Sequence, residues 1–134
     1  KQEFYILIFT HIKIELYFFL IYNKQNNTYK ERDCIIYKLG RNAQENFQLI
    51  DEANKINSDY WWFHLEDYPS GHCIVHTKDL DKSVLIFAGS LVKSHSKLKN
   101  QKKVKIIYVQ IKYIRKSKTV GEVILNQKPN VITL

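Results

Sequence analysis

Two hydrophobic periods alternate along this chain. Short apolar runs with a period near two mark strands, and two longer segments with apolar residues every three to four positions mark helices. Cys34 to Tyr37 predicts a short strand, and Asn42 to Ile56 a helix with Leu49, Ile50, Ala53 and Ile56 on one face. Asn42 stands at the N-cap position and Glu45 at the third helical position, as in a capping box. Tyr60 to Leu65 and His72 to Thr77 read as strands around a Pro-Ser-Gly turn. Leu80 to Ser94 is the clearest helix, because Leu80, Val84, Phe87, Ala88, Leu91 and Val92 keep helical spacing and Asp79 or Asp81 sits at the end its dipole favours. Val104 to Ile111, Glu122 to Leu125 and Val131 to Leu134 complete the strands. With no internal repeat and no Pro/Gly/Ser linker, the pattern predicts an α+β fold: a mostly antiparallel sheet with two main helices in a single compact domain.

The segment Phe4 to Tyr22 is apolar enough to raise the question of a membrane span. Lys13 and Glu15 at its centre speak against one. A central charge costs about 2.5–3.5 kcal/mol, whereas each good apolar residue returns only about 0.3–0.6 kcal/mol. From His11 to Phe18 apolar and polar positions alternate, which predicts a half-buried strand. The polar stretch Asn23 to Lys30 offers no small-residue cleavage site for a secretory signal. Residues 1–32 are left as an unassigned apolar strand segment, and no membrane role is expected.

At 134 residues and 45% hydrophobic, the chain has material for one core and no room for a second ordinary domain. The formal charge of +8 favours an anionic partner. Lysine far outnumbers arginine while Ile, Asn, Tyr and Phe are abundant, a bias that an AT-rich genome produces without selection for binding. Between Asp81 and Glu122 there is no acidic residue, and the basic positions running from Lys82 through Lys97, Lys112 and Lys116 to Lys118 suggest a surface that tracks phosphates. A flexible lysine-rich loop without any partner would produce the same letters. Cys34 and Cys73 lie far apart, form no CxxC pair and have no His at ligand spacing, so no metal site is assembled. Both are expected to be buried thiols in a reducing, cytoplasmic setting.

The central hairpin carries the candidate chemistry. Alternation places Tyr60, Trp62 and His64 on one face and Trp61, Phe63 and Leu65 on the other, and one of these faces must be core. If His72 pairs opposite His64, then Ile74 faces Trp62 and His76 faces Tyr60, which gathers aromatic and imidazole rings into a patch able to stack an unpaired base. Trp62 as plain core, with His64 and His72 satisfying turn carbonyls, explains the same residues. Arg41 and Asn42 at a helix start offer a phosphate contact, or simply a capped helix whose Arg points to solvent.

Residues 40–46 read GRNAQEN, and about twenty residues later residues 62–72 read WFHLEDYPSGH. In that order, followed by SHSK at 94–97, VKIIY and VGEV, they resemble the NFACT-R domain, the RNA-binding module of ribosome-associated quality-control factors. The resemblance runs from about Asp33 to about Asn130, so residues 33–134 are read as the NFACT-R-like domain. Phe47 stands where the family pattern has Asp, and both Trp61 and Trp62 stand where it has one aromatic. The resemblance implies a non-catalytic module for tRNA or ribosomal RNA, with the large ribosomal subunit as a possible partner and no cofactor. The expected nucleic-acid contacts are Arg41, Asn42, Asn46, Trp62, His64, Ser70 and His72, with Lys97, Lys112 and Lys116 on phosphates.

Two other functions compete with this one. A DNA-binding or protein-interaction adaptor is the alternative suggested by stand-alone members of the family. An enzyme would have to draw on His64, His72, His76, Asp59, Glu66 and Asp67, but alternation sends Asp59 and His64 to opposite faces. No Gly-rich phosphate loop, nucleophile elbow or HExxH helix is present.

Overall fold

The computed structural model describes residues 28–32 and 34–134. The apolar segment Phe4 to Tyr22, with its expected strand, lies outside the described residues. The elements in chain order are β1 (Thr28–Arg32), β2 (Ile35–Leu39), α1 (Ala43–Ile56), β3 (Trp61–Leu65), β4 (Cys73–Val75), α2 (Lys82–Ser94) and β5 (Lys105–Gln110). A 3₁₀ turn (Ile111–Tyr113), β6 (Ile114–Lys116), β7 (Val123–Leu125) and β8 (Asn130–Thr133) follow.

Among the described residues six strands form one sheet in the order β1-β2-β4-β3-β5-β8, and β6 and β7 form a separate pair. Every pairing is antiparallel. The helices start where side chains close their first turns: Asn42 Oδ1 accepts the Glu45 N–H at 2.9 Å, and Asp81 Oδ1 accepts the Val84 N–H at 2.8 Å. Asp81, not Asp79, is therefore the cap, which sets the start of α2 at Lys82.

Helices cover the sheet on both faces. Helix α2 packs through Val84, Ala88, Leu91 and Val92 on Tyr37, Phe63, Leu65 and Ile106. Helix α1 packs through Leu49, Ile50 and Ala53 on Trp62, Ile74, Val109 and Ile111. Of the two hairpin faces, one of which had to be core, both are: Trp62 is 2% exposed on one face and Phe63 0% on the other, as the plain-core alternative for Trp62 implied. Each such burial contributes roughly 1.5–3 kcal/mol.

Strand β4 is shorter than the expected His72 to Thr77. The His72 N–H goes to a side chain on α1 and the Thr77 N–H folds back to the Val75 carbonyl, so ladder pairing stops at both ends. Two strands had no apolar signature: β1, a polar strand paired, among the described residues, only with β2, and β6, three residues long. β1 also falls inside the N-terminal span that the sequence left unassigned. Cys34, expected to be buried, is exposed in the turn between β1 and β2, where its φ of 65° takes it out of the sheet. Cys73 is buried, and burial pushes its thiol up to about 12. Both cysteines are free. No helix among the described residues is long and apolar enough to cross a membrane.

Candidate nucleic-acid interface

The two sequence motifs lock into each other. Gly40 N–H donates to the His72 carbonyl at 3.0 Å, and His72 N–H donates to Asn46 Oδ1 at 3.0 Å, so the first motif satisfies both backbone groups of the histidine that ends the second. Glycine is needed on both sides of this contact. A Cβ on Gly40 would overlap Asn46 Oδ1, and one on Gly71 would overlap the Gly40 carbonyl. Asn46 is 6% exposed, so it acts as a buried clamp. A third segment joins them: Gly121 passes against Ala43 at the start of α1.

At the helix start, Glu45 turns back on the residues before it. Its carboxylate accepts the Arg41 backbone N–H at 3.0 Å and the Arg41 guanidinium at 3.3 and 3.1 Å. This is a capping box displaced by one residue, since the amide it satisfies belongs to Arg41 and not to Asn42. The Arg41 fork is therefore engaged by a carboxylate instead of standing ready for phosphate. Lys38 and Glu52 form a similar pair further along α1.

These turns border a cleft of about 770 Å³. Its floor is the hairpin. The register sets Trp62 opposite Ile74, and continuing it sets His64 across from His72, whose rings lie 5.2 Å apart. His64 stacks on the Trp62 indole at 5.5 Å with 6° between the planes, and His72 meets Trp62 edge-on at 5.3 Å. Beyond them Tyr60 stacks on His76 at 4.7 Å. His64 Nδ1 donates to the Leu65 carbonyl at 2.6 Å, which leaves Nε2 as a hydrogen-bond acceptor in the neutral ring. Burial lowers the pKa of His64, and burial followed by the neighbouring His64 lowers that of His72 to about 3. Trp62 Nε1 and His72 Nδ1 are buried without a hydrogen-bond partner among the described residues.

Eight of the ten expected contact residues line this cleft: Arg41, Asn42, Asn46 and Lys97 beside the hairpin residues Trp62, His64, Ser70 and His72. They do different things there. Trp62 is enclosed by α1 and presents no open face for a base, and His72 is equally buried, so the stacking surface expected of them is floor and not platform. Ser70 Oγ accepts the Leu65 N–H at 3.1 Å and donates to the Gly71 carbonyl at 3.1 Å, which holds the turn. Lys97 lies on the rim, in the turn after α2.

Lys112 and Lys116 do not line the cleft. Lys112 pairs with Asp59 at 2.9 Å and Lys116 with Asp51 at 2.7 Å. The acid-free stretch of sequence is thus not acid-free in space, because carboxylates in and just after α1 fold against it. Lys82 opens α2 and Lys97 lies in the turn after its other end, so the length of the helix separates them. Sequence reasoning passed over Tyr68 and Val120, which stand 53% and 55% exposed and line the cleft. For Tyr68 the available signal was an aromatic residue in a turn, directly before Pro69. Among the described residues no group of three or more His, Cys, Asp or Glu is placed to hold a metal ion.

Fold and cleft together define a small α+β binding domain. The family model described as the NFACT protein RNA binding domain matches residues 16–127, and the chain belongs to that family. It is similar to the Rqc2 homolog RqcH of Bacillus subtilis, 23% identical over 95 residues, a match that covers 71% of this chain and 16% of that protein. Its fold is similar to the C-terminal part of the fibronectin/fibrinogen-binding protein of Streptococcus suis, with a TM-score of 0.70 and 22% identity over 81% of this chain and 44% of the solved one. The chain thus spans about one sixth of the length of RqcH.

Proposed function

We propose that this domain is a non-catalytic module that binds tRNA or ribosomal RNA in the cytoplasm, in a ribosome-associated quality-control setting that brings it to the large ribosomal subunit. One observation carries the reading: the family match over residues 16–127 contains both motifs that build the cleft. The relation to RqcH supports the quality-control setting, and the formal charge of +8 supports an anionic partner. Phosphate contacts made by lysines release counterions, so affinity for RNA falls steeply as salt rises.

The test is the dissociation constant for tRNA measured at several salt concentrations beside that for a DNA duplex. The reading expects tighter binding to tRNA and a steep salt dependence. Tighter binding to duplex DNA would favour a DNA-binding adaptor, and a flat salt dependence would favour a protein-interaction adaptor.

A further inference from the structure

The cleft combines features that suit a flat, partly polar ligand. Its size lies within the roughly 300–1,000 Å³ typical of small-ligand sites. Tyr68 and Val120, both more than half exposed, place apolar surface at its margin, and Ile107, Val123 and Leu125 continue it. On the floor His64 is fixed by the Leu65 carbonyl at Nδ1, which aims its other nitrogen elsewhere as an acceptor. Beside it are a buried donor, Trp62 Nε1, and a buried ring nitrogen, His72 Nδ1, both without a hydrogen-bond partner among the described residues. Unpaired buried polar atoms are costly, so such a pair is retained where water or a ligand completes it. Lys97 adds a positive charge on the rim, with no carboxylate partner among the described residues.

We propose that this cleft takes one unpaired nucleotide of the bound RNA, base inward, with Tyr68 against the base, His64 accepting a hydrogen bond from it and Lys97 beside its phosphate. An aromatic face stacks any base, an imidazole acceptor reads a base-edge or 2′-hydroxyl donor, and a lysine at the mouth meets the backbone. The proposal rests on the RNA-binding reading above and adds where the RNA is gripped. It also separates roles: Tyr68 and His64 hold the nucleotide, while Trp62 and His72 form the floor beneath it.

The experiment follows the His64 and Trp62 ring resonances by NMR during titration with adenosine and uridine 5′-monophosphates, and with inorganic phosphate as the anion control. The nucleotides should shift both rings, and phosphate should not. Tyr68→Ala, a change at an exposed turn, should weaken nucleotide binding about tenfold while thermal unfolding stays the same. Lys97→Ala should weaken nucleotides and spare free nucleosides. Unmoved His64 and Trp62 signals would overturn the proposal, as would phosphate reproducing every shift, which would make the cleft an anion site. If tRNA still binds with a steep salt dependence while the nucleotides leave the cleft unmoved, only this inference fails. If tRNA binding fails as well, the RNA-binding reading falls with it.

Discussion

Asn46 Oδ1 accepts the backbone N–H of His72 at 3.0 Å, and that single bond ties the first turn of α1 to the hairpin turn 26 residues further along the chain. Replacing Asn46 by Ala strands a buried amide, which should cost about 1–3 kcal/mol. Gly40→Ala should cost at least as much, because its new methyl group would strike Asn46. The two changes share one contact, so the double variant should lose clearly less than the sum of the single losses. Urea denaturation of the four proteins measures this coupling. Strict additivity would mean that the two motifs do not bear on each other as the structure shows.

Acid should destabilise the fold through its buried imidazoles. Burial lowers His72 to about 3 and His76 to about 4. In the unfolded chain a histidine titrates near 6.5, so above that pH both states are neutral and these groups add no pH dependence. Below it the unfolded state binds protons that the folded state refuses. Stability then falls by about 1.4 kcal/mol per pH unit for each fully buried imidazole, and by less for His76, which keeps some solvent contact. The loss from His72 continues down to about pH 3. Urea midpoints at pH 7, 6, 5 and 4 should decline progressively, and His76→Phe, which keeps a ring on Tyr60, should make the decline shallower. An unchanged midpoint between pH 7 and 4 would contradict the burial of these rings.

Charge changes should act according to spatial pairing and not according to sequence neighbourhood. Lys116 is held by Asp51, so Lys116→Glu should reduce RNA affinity less than Lys97→Glu at the cleft. Asp51→Asn should release Lys116 and strengthen binding to all nucleic acids alike, since phosphate contacts carry no sequence information. Dissociation constants for tRNA at low salt compare these variants. Equal losses for Lys97→Glu and Lys116→Glu would mean that the RNA follows the whole lysine-rich stretch.

Much of the fold was legible because its periods are strong. The hairpin register followed from alternation once His64 was set opposite His72, and the apolar face of α2 packs as its spacing implied. In α1, Leu49, Ile50 and Ala53 pack as expected, but Ile56, which the spacing put on the same face, is the last helical residue and stands 58% exposed. Trp62 as core was one of the two readings open in the sequence, and alternation could not choose between them, since it separates the two faces of a strand without saying that both are covered. β1 was missed because its sequence, TYKER, has no apolar alternation. In the cleft, the roles of Asn46 and Ser70 depend on backbone groups brought from distant or folded-back positions, which local patterns do not encode. The pairing of Lys112 and Lys116 with Asp59 and Asp51 spans 53 and 65 residues and was hidden for the same reason.

Ultraviolet crosslinking of the whole chain to tRNA, followed by mass spectrometry of the linked peptides, tests most directly whether RNA is bound at the cleft. The account predicts crosslinks on the turn holding Tyr68 and on the segment around Lys97, lost or sharply reduced in the Tyr68→Ala protein. Crosslinks confined to Lys112, Lys116 and their surroundings, with the cleft peptides unmodified, would contradict it.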